Sequence, residues 1–492
     1  MMAYVLVIDT GSSSMRGILF DEAGRMRFTE QRRYTMRTNG DAAEYAPEDF
    51  RRCLTDICRL CAQRGGIEAL SFTSQRSSIL PIAADGRTLG PIITWYDKRA
   101  AAICADMNAR HGKRLYELAG TRATPVLSAP KIAWLRQNRP EVYAAAHKII
   151  GIHDYLLYLC TGRFVTDASL ASRTHLMNVR TRQWDGELLA LYGVDAGKLA
   201  DLAAPCTAVG RVTADFSRAT GIAAGTPGVT GGGDQQCSVL GQGLTRPGAL
   251  GLTCGSGAYL AAVSDAPVAD AGMRVNVNAA VTPGQWVIEA STLSCGTVQD
   301  WLNRAFYQEE AQDYPLQRLH AEAAQSPAGA NGLLMLPDLA GKGCPDWNDA
   351  ARGAFLNVSF AHTRADFARA MLEGLAAEIA ECCDTLRALL PRSESVSATG
   401  GVTKCALFNQ IVADMIDFPI KKCNNNETTA IGACLAAQYA LGAHDSLEEA
   451  FRALPAAEES LIFTPDAANA ALYRRLNAAR RRLYQALANE NA

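Results

Sequence analysis

Four short segments carry residue types that could do chemistry. Asp9-Thr10-Gly11-Ser12-Ser13-Ser14 sets an acid before a run of small residues. Small residues let successive backbone N–H groups converge on an anion such as phosphate. An acid beside phosphates makes sense when Mg²⁺ lies between them, largely through water. Arg16, just downstream, can offset charge on a phosphoryl group in transfer. Gly231-Gly232-Gly233-Asp234-Gln235-Gln236 presents one carboxylate after three glycines, a run whose backbone entropy is costly unless the chain must pass close to a ligand. Asp234 could serve as general base on a hydroxyl, and the loose transition state of phosphoryl transfer asks only for an ordinary carboxylate. Thr73-Ser74-Gln75-Arg76-Ser77 and Thr94-Trp95-Tyr96-Asp97-Lys98-Arg99 combine flat aromatic faces with side chains (Gln75, Arg76, Asp97) that bond sugar hydroxyls. Ala398-Thr399-Gly400-Gly401 precedes a helix carrying Lys404 and Asn409, and a helix start favours anions. Taken singly, these also read as a hairpin turn, an interdomain linker, a surface loop and a close helix–strand contact.

The elements that must position these segments follow from periodicity. Tyr4–Asp9, Arg16–Phe20 and Met26–Tyr34 read as strands of a β-meander, which is neither a P-loop nor a Rossmann unit. Gly341-Lys342-Gly343 lacks the upstream glycine and the Ser or Thr of a P-loop. Gly248–Leu252, Cys254-Gly255-Ser256-Gly257 and Ala258–Val263 repeat the strand–small turn–strand pattern about half a chain later, as in a weak internal duplication. The glycine-dense stretch Gly231–Gly248 reads as the hinge. Apolar residues at Phe367, Met371, Leu375, Ile379, Cys382 and Leu386 predict an amphipathic helix, with Thr363 and Asp366 capping its start and Pro391 beyond its end. Thr403–Ile416 predicts another helix, and Asn424-Asn425-Asn426-Glu427 should cap a core helix running to Leu441. Asn469–Asn489 reads as a solvated outer helix.

Composition removes several classes. The 492 residues favour two to four domains. Lys plus Arg total 48 against 50 Asp plus Glu, a balance that speaks against a nucleic-acid binder or a polybasic membrane-surface protein. An apolar content of 48% is that of an ordinary globular chain. The 15 cysteines are scattered; Cys58-Arg-Leu-Cys61 has no second CxxC and reads as part of a helix, Phe50–Ala62, with Cys53. No signal peptide or apolar span is apparent, so a reducing cytoplasm is expected and the sequons at Asn357 and Asn426 should stay unmodified.

The order of the motifs resembles that of the FGGY carbohydrate kinases, a branch of the actin-like ATPases, from about Tyr4 to Leu441. Asp9–Arg16 looks like the family's first phosphate motif and Gly233–Gln236 like the segment of its catalytic aspartate. Cys254-Gly255-Ser256-Gly257 resembles the second phosphate turn. Gly296-Thr297-Val298-Gln299-Asp300-Trp301 and Gly400-Gly401-Val402-Thr403-Lys404 resemble its nucleotide-side segments. Outside the active site, Asp154-Tyr155 through Thr161-Gly162, Thr166-Asp167, Ala171-Ser172 and Asp346-Trp347 through Arg352-Gly353 also match. The resemblance implies an α/β fold of two actin-like (ribonuclease H-like) domains closing over a cleft: 1–245 for the sugar, 246–445 for the nucleotide, and 446–492 a helical extension on the second domain. It implies ATP and Mg²⁺ as cofactors, a small sugar or polyol as partner, and a dimer, which is common in the family. Asp234 would be the catalytic base, with Asp9 and Asp234 positioning the metal. Thr10, Gly11, Ser12, Ser13, Arg16, Gly255, Ser256, Gly296, Thr297, Gly400, Gly401, Lys404 and Asn409 would face the nucleotide, and Gln75, Arg76, Trp95, Asp97 and Gln235 the sugar. Ser77 stands where glycerol kinases carry Glu, and Gln75-Arg76 where xylulokinases carry Met-His. Ala129-Pro130-Lys131 and Leu336–Gly353 look more like xylulokinase, so the expected acceptor is a xylulose-type ketopentose, with glycerol or another polyol as alternative. A non-catalytic actin-like ATP switch is the competing class, against which the sugar-facing set with Asp234 argues.

Overall fold

The computed structural model describes residues 3–307, 315–390, 395–423, 427–455 and 461–490. The chain forms two compact units, each discontinuous in sequence. The first joins Met1–Thr245, Ser264–Val287 and Glu427–Ala456; the second joins Arg246–Val263, Ile288–Asn426 and Ala457–Ala492. A single cut after residue 245 therefore does not describe them: residues 264–287 and 427–456 fold with the N-terminal half.

Six strands make the main sheet of the first unit: β1 (Ala3–Thr10), β2 (Ser14–Phe20), β3 (Met26–Arg33), β4 (Gly66–Ser74), β5 (Ala208–Arg211) and β6 (Pro227–Gly233), in the order β5-β6-β4-β1-β2-β3. The meander β1–β2–β3 is antiparallel, as expected, while β4 runs parallel to both β1 and β6. Parallel strands are covered on both faces, which is why β1 reads as a continuous apolar run. Its alternate residues serve different cores. Leu6 and Ile8 pack with α1 (Pro47–Ala62) and α2 (Ile152–Thr161). Val5 and Val7 pack with the helix Thr428–Ala440. Cys53, Cys58 and Cys61 lie buried in α1, where burial pushes the Cys61 thiol up to about 12, so they act as small core hydrophobes. Among the described residues no group of three or more His, Cys, Asp or Glu is placed to hold a metal ion.

Within the stretch Gly231–Gly248 expected as the hinge, the chain passes to the second unit after Thr245. Gly231–Gly233 is instead the buried end of β6, where Gly232 and Gly233 pair with β4, and it leads straight into α3 (Asp234–Gly241). Side chains are excluded there: a Cβ on Gly231 would lie 2.4 Å from the Phe72 carbonyl oxygen. The same device sets α3 against the helix Thr428–Ala440. A Cβ on Gly241 would lie 1.9 Å from the Thr428 oxygen, and one on Gly432 1.9 Å from the Cys237 oxygen.

The second unit repeats a mixed sheet. Its strands β7 (Leu250–Cys254), β8 (Ala258–Ser264), β9 (Trp286–Thr292), β10 (Val396–Thr399), β11 (Ile420–Lys422) and β12 (Leu461–Phe463) follow the order β9-β8-β7-β10-β11-β12. β7 is antiparallel to β8 and parallel to β10. The helices α4 (Gly296–Phe306), α5 (Arg364–Leu389) and α6 (Ala406–Ile416) accompany it, and Thr363 and Asp366 form the expected capping box of α5. Pro391 and Asn424–Asn426 lie outside the described residues. The C-terminal helix Ala467–Glu490 is not a wholly solvated outer element. Its Tyr473 hydroxyl meets Glu373 at 2.9 Å and Arg369 at 2.7 Å, and buried Arg480 donates to the Met335 oxygen at 3.0 Å. Lys342 is likewise structural, buried and paired with Glu378 at 2.5 Å. Among the described residues no helix is long and apolar enough to cross a membrane.

The Gly241–Gly432 crossing makes a stability prediction. Gly432→Val should destabilise the protein by about 3 kcal/mol or more, since backbone must separate from backbone. Gly186→Ala, at a glycine with open space around it, should change little. Urea unfolding monitored by circular dichroism checks both.

Candidate active site

Three parallel strands of the first unit end level with one another. Thr10 of β1 and Gly233 of β6 both pair with Ser74 of β4. At about 4.8 Å between strands, β1 and β6 stand roughly 10 Å apart on either side of β4. Their ends release Asp9-Thr10, Gln75-Arg76 and Asp234 at one sheet edge, the edge where open α/β sheets bind ligands.

Each acid meets its own arginine. Arg16 faces Asp9 directly across the β1–β2 hairpin, 2.5 Å from its Oδ2, and reaches Glu427 at 2.6 Å. Burial pushes the Asp9 carboxyl up, and Arg16 opposes that shift. Asp234 opens α3 and is more exposed. The Arg76 Nε lies 3.3 Å from its Oδ1, and the Gln235 N–H donates to the same oxygen at 2.7 Å. Arg76 also donates to the Gln236 Oε1 at 3.2 Å. Ser77 follows with φ of 71°, in the left-handed region, and donates to the Arg173 oxygen at 3.1 Å.

The turn after β1 is held by its carbonyls. The Gly11 oxygen accepts from the Gln75 amide at 2.9 Å and from the Tyr34 hydroxyl, and the Ser12 oxygen accepts from the Tyr45 hydroxyl at 2.6 Å. The Ser13 oxygen accepts from the Tyr34 N–H at 3.2 Å, and the Ser14 oxygen from the Gly11 N–H at 3.0 Å. In a trans peptide the next N–H points opposite the carbonyl. With the Gly11 and Ser12 carbonyls drawn inward, the N–H groups of Ser12 and Ser13 are turned the other way. Such successive amides suit an anion.

The loop of Trp95 lies next to this turn. Trp95 stacks on Tyr96 with ring centroids 3.7 Å apart, and the Tyr96 side chain hydrogen-bonds Ser12. Asp97 and Gln75, expected to bond a ligand's hydroxyls, also brace the protein itself. Asp97 is buried and accepts from the Ala43 N–H at 3.0 Å and the Arg99 Nε at 2.8 Å. Gln75 is buried and braces Gly11, with its own N–H donating to the Thr10 oxygen at 2.8 Å.

In the second unit Thr253 of β7 pairs with Thr399 of β10, so the turns Cys254–Gly257 and Gly400–Gly401 leave the sheet side by side. Gly400 has φ of 104°, and a Cβ there would lie 2.2 Å from the Cys254 oxygen. The start of α4 joins them: the Gly296 N–H donates to the Gly255 oxygen at 2.9 Å, and the Thr297 hydroxyl to the Ser256 oxygen at 3.1 Å. Gly255, Ser256, Gly296, Thr297, Gly400 and Gly401 thus form one patch. Lys404 is exposed on the short turn that follows. Asn409, expected to face a nucleotide, is buried and donates to the Thr403 oxygen at 2.7 Å, so it holds that turn.

Two family models cover nearly the whole chain: the N-terminal domain of the FGGY family of carbohydrate kinases matches residues 4–241, and its C-terminal domain residues 250–441. The chain belongs to the FGGY family of carbohydrate kinases. It is 29% identical over 466 residues to the gluconokinase of Bacillus subtilis, covering 91% of this chain and 90% of that one. It is 30% identical to the glycerol kinase of Bordetella parapertussis, again over 91% and 90% of the two chains. The crystal structure of a ligand-bound xylulose kinase from Lactobacillus acidophilus superimposes with a TM-score of 0.94 at 26% identity, covering 99% of each chain. This FGGY kinase therefore has the expected two-domain α/β fold and is a sugar or polyol phosphotransferase.

Sequence reasoning missed Tyr34, Tyr45 and Glu427. Tyr34 and Tyr45 act on backbone oxygens, which no motif records. Glu427 reaches Arg16 across more than four hundred residues. In an FGGY kinase the tyrosine clamps should matter to the nucleotide. Tyr45→Phe or Tyr34→Phe should raise the KM for ATP about 2- to 10-fold, the loss of one hydrogen bond, with the acceptor KM nearly constant. Initial-rate kinetics with each substrate varied will check this.

Proposed function

We propose that this kinase moves the γ-phosphoryl group of ATP to a hydroxyl of an open-chain sugar of the xylulose type. The observation that carries the reading is the level ending of β1, β4 and β6, which sets Asp9, Arg76 and Asp234 along one edge. Asp234 accepts the proton of the attacking hydroxyl. It is the more exposed of the two acids, and Arg76 meets it at 3.3 Å. A weak base suffices because the acceptor's proton leaves late in a loose transfer.

The acceptor rests against Arg76, Trp95 and Gln235, while Gln75 and Asp97 hold the loops that present them. Ser12 and Ser13, on the turn that Thr10 and Gly11 open, offer N–H and hydroxyl donors to the transferring phosphoryl group. Arg16 supplies positive charge beside it. In the second unit the patch of Gly255, Ser256, Gly296, Thr297, Gly400 and Gly401, with Lys404, suits a nucleotide by the same chemistry of turn amides. The donor set fits Mg²⁺ as nucleotides bring it, held by phosphates and water with few protein ligands. Asp9, a buried carboxylate at the strand end, would orient it, with Asp234 as the second acid. Bound with the nucleotide, the ion would neutralise charge on the phosphate oxygens.

The likeness to the Bacillus gluconokinase supports a second reading, in which the acceptor is a sugar acid and Arg76 meets its carboxylate. A coupled ADP-release screen over ketopentoses, pentitols, glycerol and gluconate separates the two. The expected result is a kcat/KM for a ketopentose above all others; preference for gluconate would replace the first reading with the second. Asp234→Asn should lower kcat about 10²- to 10⁴-fold while ATP affinity, measured by calorimetry, stays within a few-fold. Full turnover by that variant would remove the base assignment.

A further inference from the structure

The peptide that delivers Asp234 is held from outside its own strand. The Gly233 N–H donates to the Ser169 Oγ at 3.1 Å, and the Ser169 backbone oxygen accepts from the Gln236 amide at 3.3 Å. Gln236 in turn accepts from Arg76 at 3.2 Å, and Arg76 meets Asp234. One residue thus touches both ends of the first turn of α3. Gly232, with φ of 115°, allows this approach, since a Cβ there would lie 2.9 Å from the Ser169 Oγ.

A serine hydroxyl can rotate, and either donate or accept. Here its proton is committed. The Ser169 Oγ donates to the Asp167 Oδ1 at 2.5 Å, so its lone pairs are left for the Gly233 N–H. Asp167 is fully buried, and its Oδ2 has no hydrogen-bond partner. A buried carboxyl group with an unpartnered oxygen is destabilising on its own account. Capping the short helix Ala168–Ala171 needs only the backbone donors of Ser169 and Leu170. It does not explain a hydroxyl aimed at a strand end 64 residues away.

We propose that Ser169, oriented by Asp167, is a positioning residue for Asp234: it fixes the Gly233 peptide and, through Gln236, the Arg76 guanidinium beside the base. The assignment rests on the reading of Asp234 as general base. It touches no substrate and acts only through α3.

Ser169→Ala should lower kcat about 10- to 100-fold, as expected for a reacting group displaced by a fraction of an ångström to an ångström. The acceptor KM and the calorimetric affinity for ATP should stay within about threefold, and hydrogen–deuterium exchange of peptides spanning 230–236 should speed up. Asp167→Asn, which keeps an acceptor oxygen but loses the charge, should fall between wild type and Ser169→Ala. In an Asp234→Asn background, Ser169→Ala should lower the residual rate no further. A Ser169→Ala enzyme with wild-type kcat, or with unchanged exchange at 230–236, overturns the assignment. So does an equal loss in kcat, acceptor KM and ATP affinity, which is the pattern of a general structural defect. An active Asp234→Asn enzyme overturns the base reading and this inference with it; an inactive Asp234→Asn beside an unimpaired Ser169→Ala overturns this inference alone.

Discussion

The chemistry of this protein depends on the register of three parallel strands. Because Thr10 and Gly233 both pair with Ser74, the chain leaves β1, β4 and β6 at one level. A slip of one residue in β6 would turn Asp234 to the other face. The register is held by what the strands bury: Leu6 and Ile8 on one side, Val5 and Val7 on the other, with helices closing both. The glycines at the end of β6 add a steric lock, since Gly231 lies against the Phe72 backbone. The edge proposed as the active site is thus a consequence of core packing.

The second unit uses the same construction for a different purpose. Its turns leave β7 and β10 side by side, but they carry small residues and no acid. In both units the turns proposed to meet phosphate have their carbonyls tied down: by Tyr34, Tyr45 and Gln75 in one, and by Gly296 and Thr297 in the other. Amides held this way need little reorganisation when charge arrives, and that preorganisation makes them useful to phosphoryl transfer.

Much of this was legible in the sequence. The meander, the recurring strand–turn–strand, the capping box at Thr363 and the family all follow from local pattern, because each rests on residues close together in the chain. What was not legible has a common cause. Gln75 and Asp97, in loops, and Asn409, in α6, are polar residues whose types do not say whether they face a ligand or a neighbouring carbonyl. Gly231–Gly248 suggested a hinge throughout, yet its first glycines pack closely, because glycine serves freedom and close packing alike. Only the neighbouring Phe72 carbonyl decides between them. Arg480 in the C-terminal helix looked solvated because helix charge patterns do not reveal that one arginine is buried against a distant carbonyl.

The pairing of Asp234 with Arg76 shapes both halves of the task. An arginine beside a carboxylate weakens it as a base, yet also keeps it ionised. For a reaction whose nucleophile needed full deprotonation first, that would be a poor compromise. In phosphoryl transfer the hydroxyl proton departs late, so a modest base is enough. On the proposed reading the guanidinium that meets Asp234 also meets the acceptor's oxygens, so one ion pair would both hold the acceptor and aim its hydroxyl at the base. Water, too small to span both groups, would not gain that alignment.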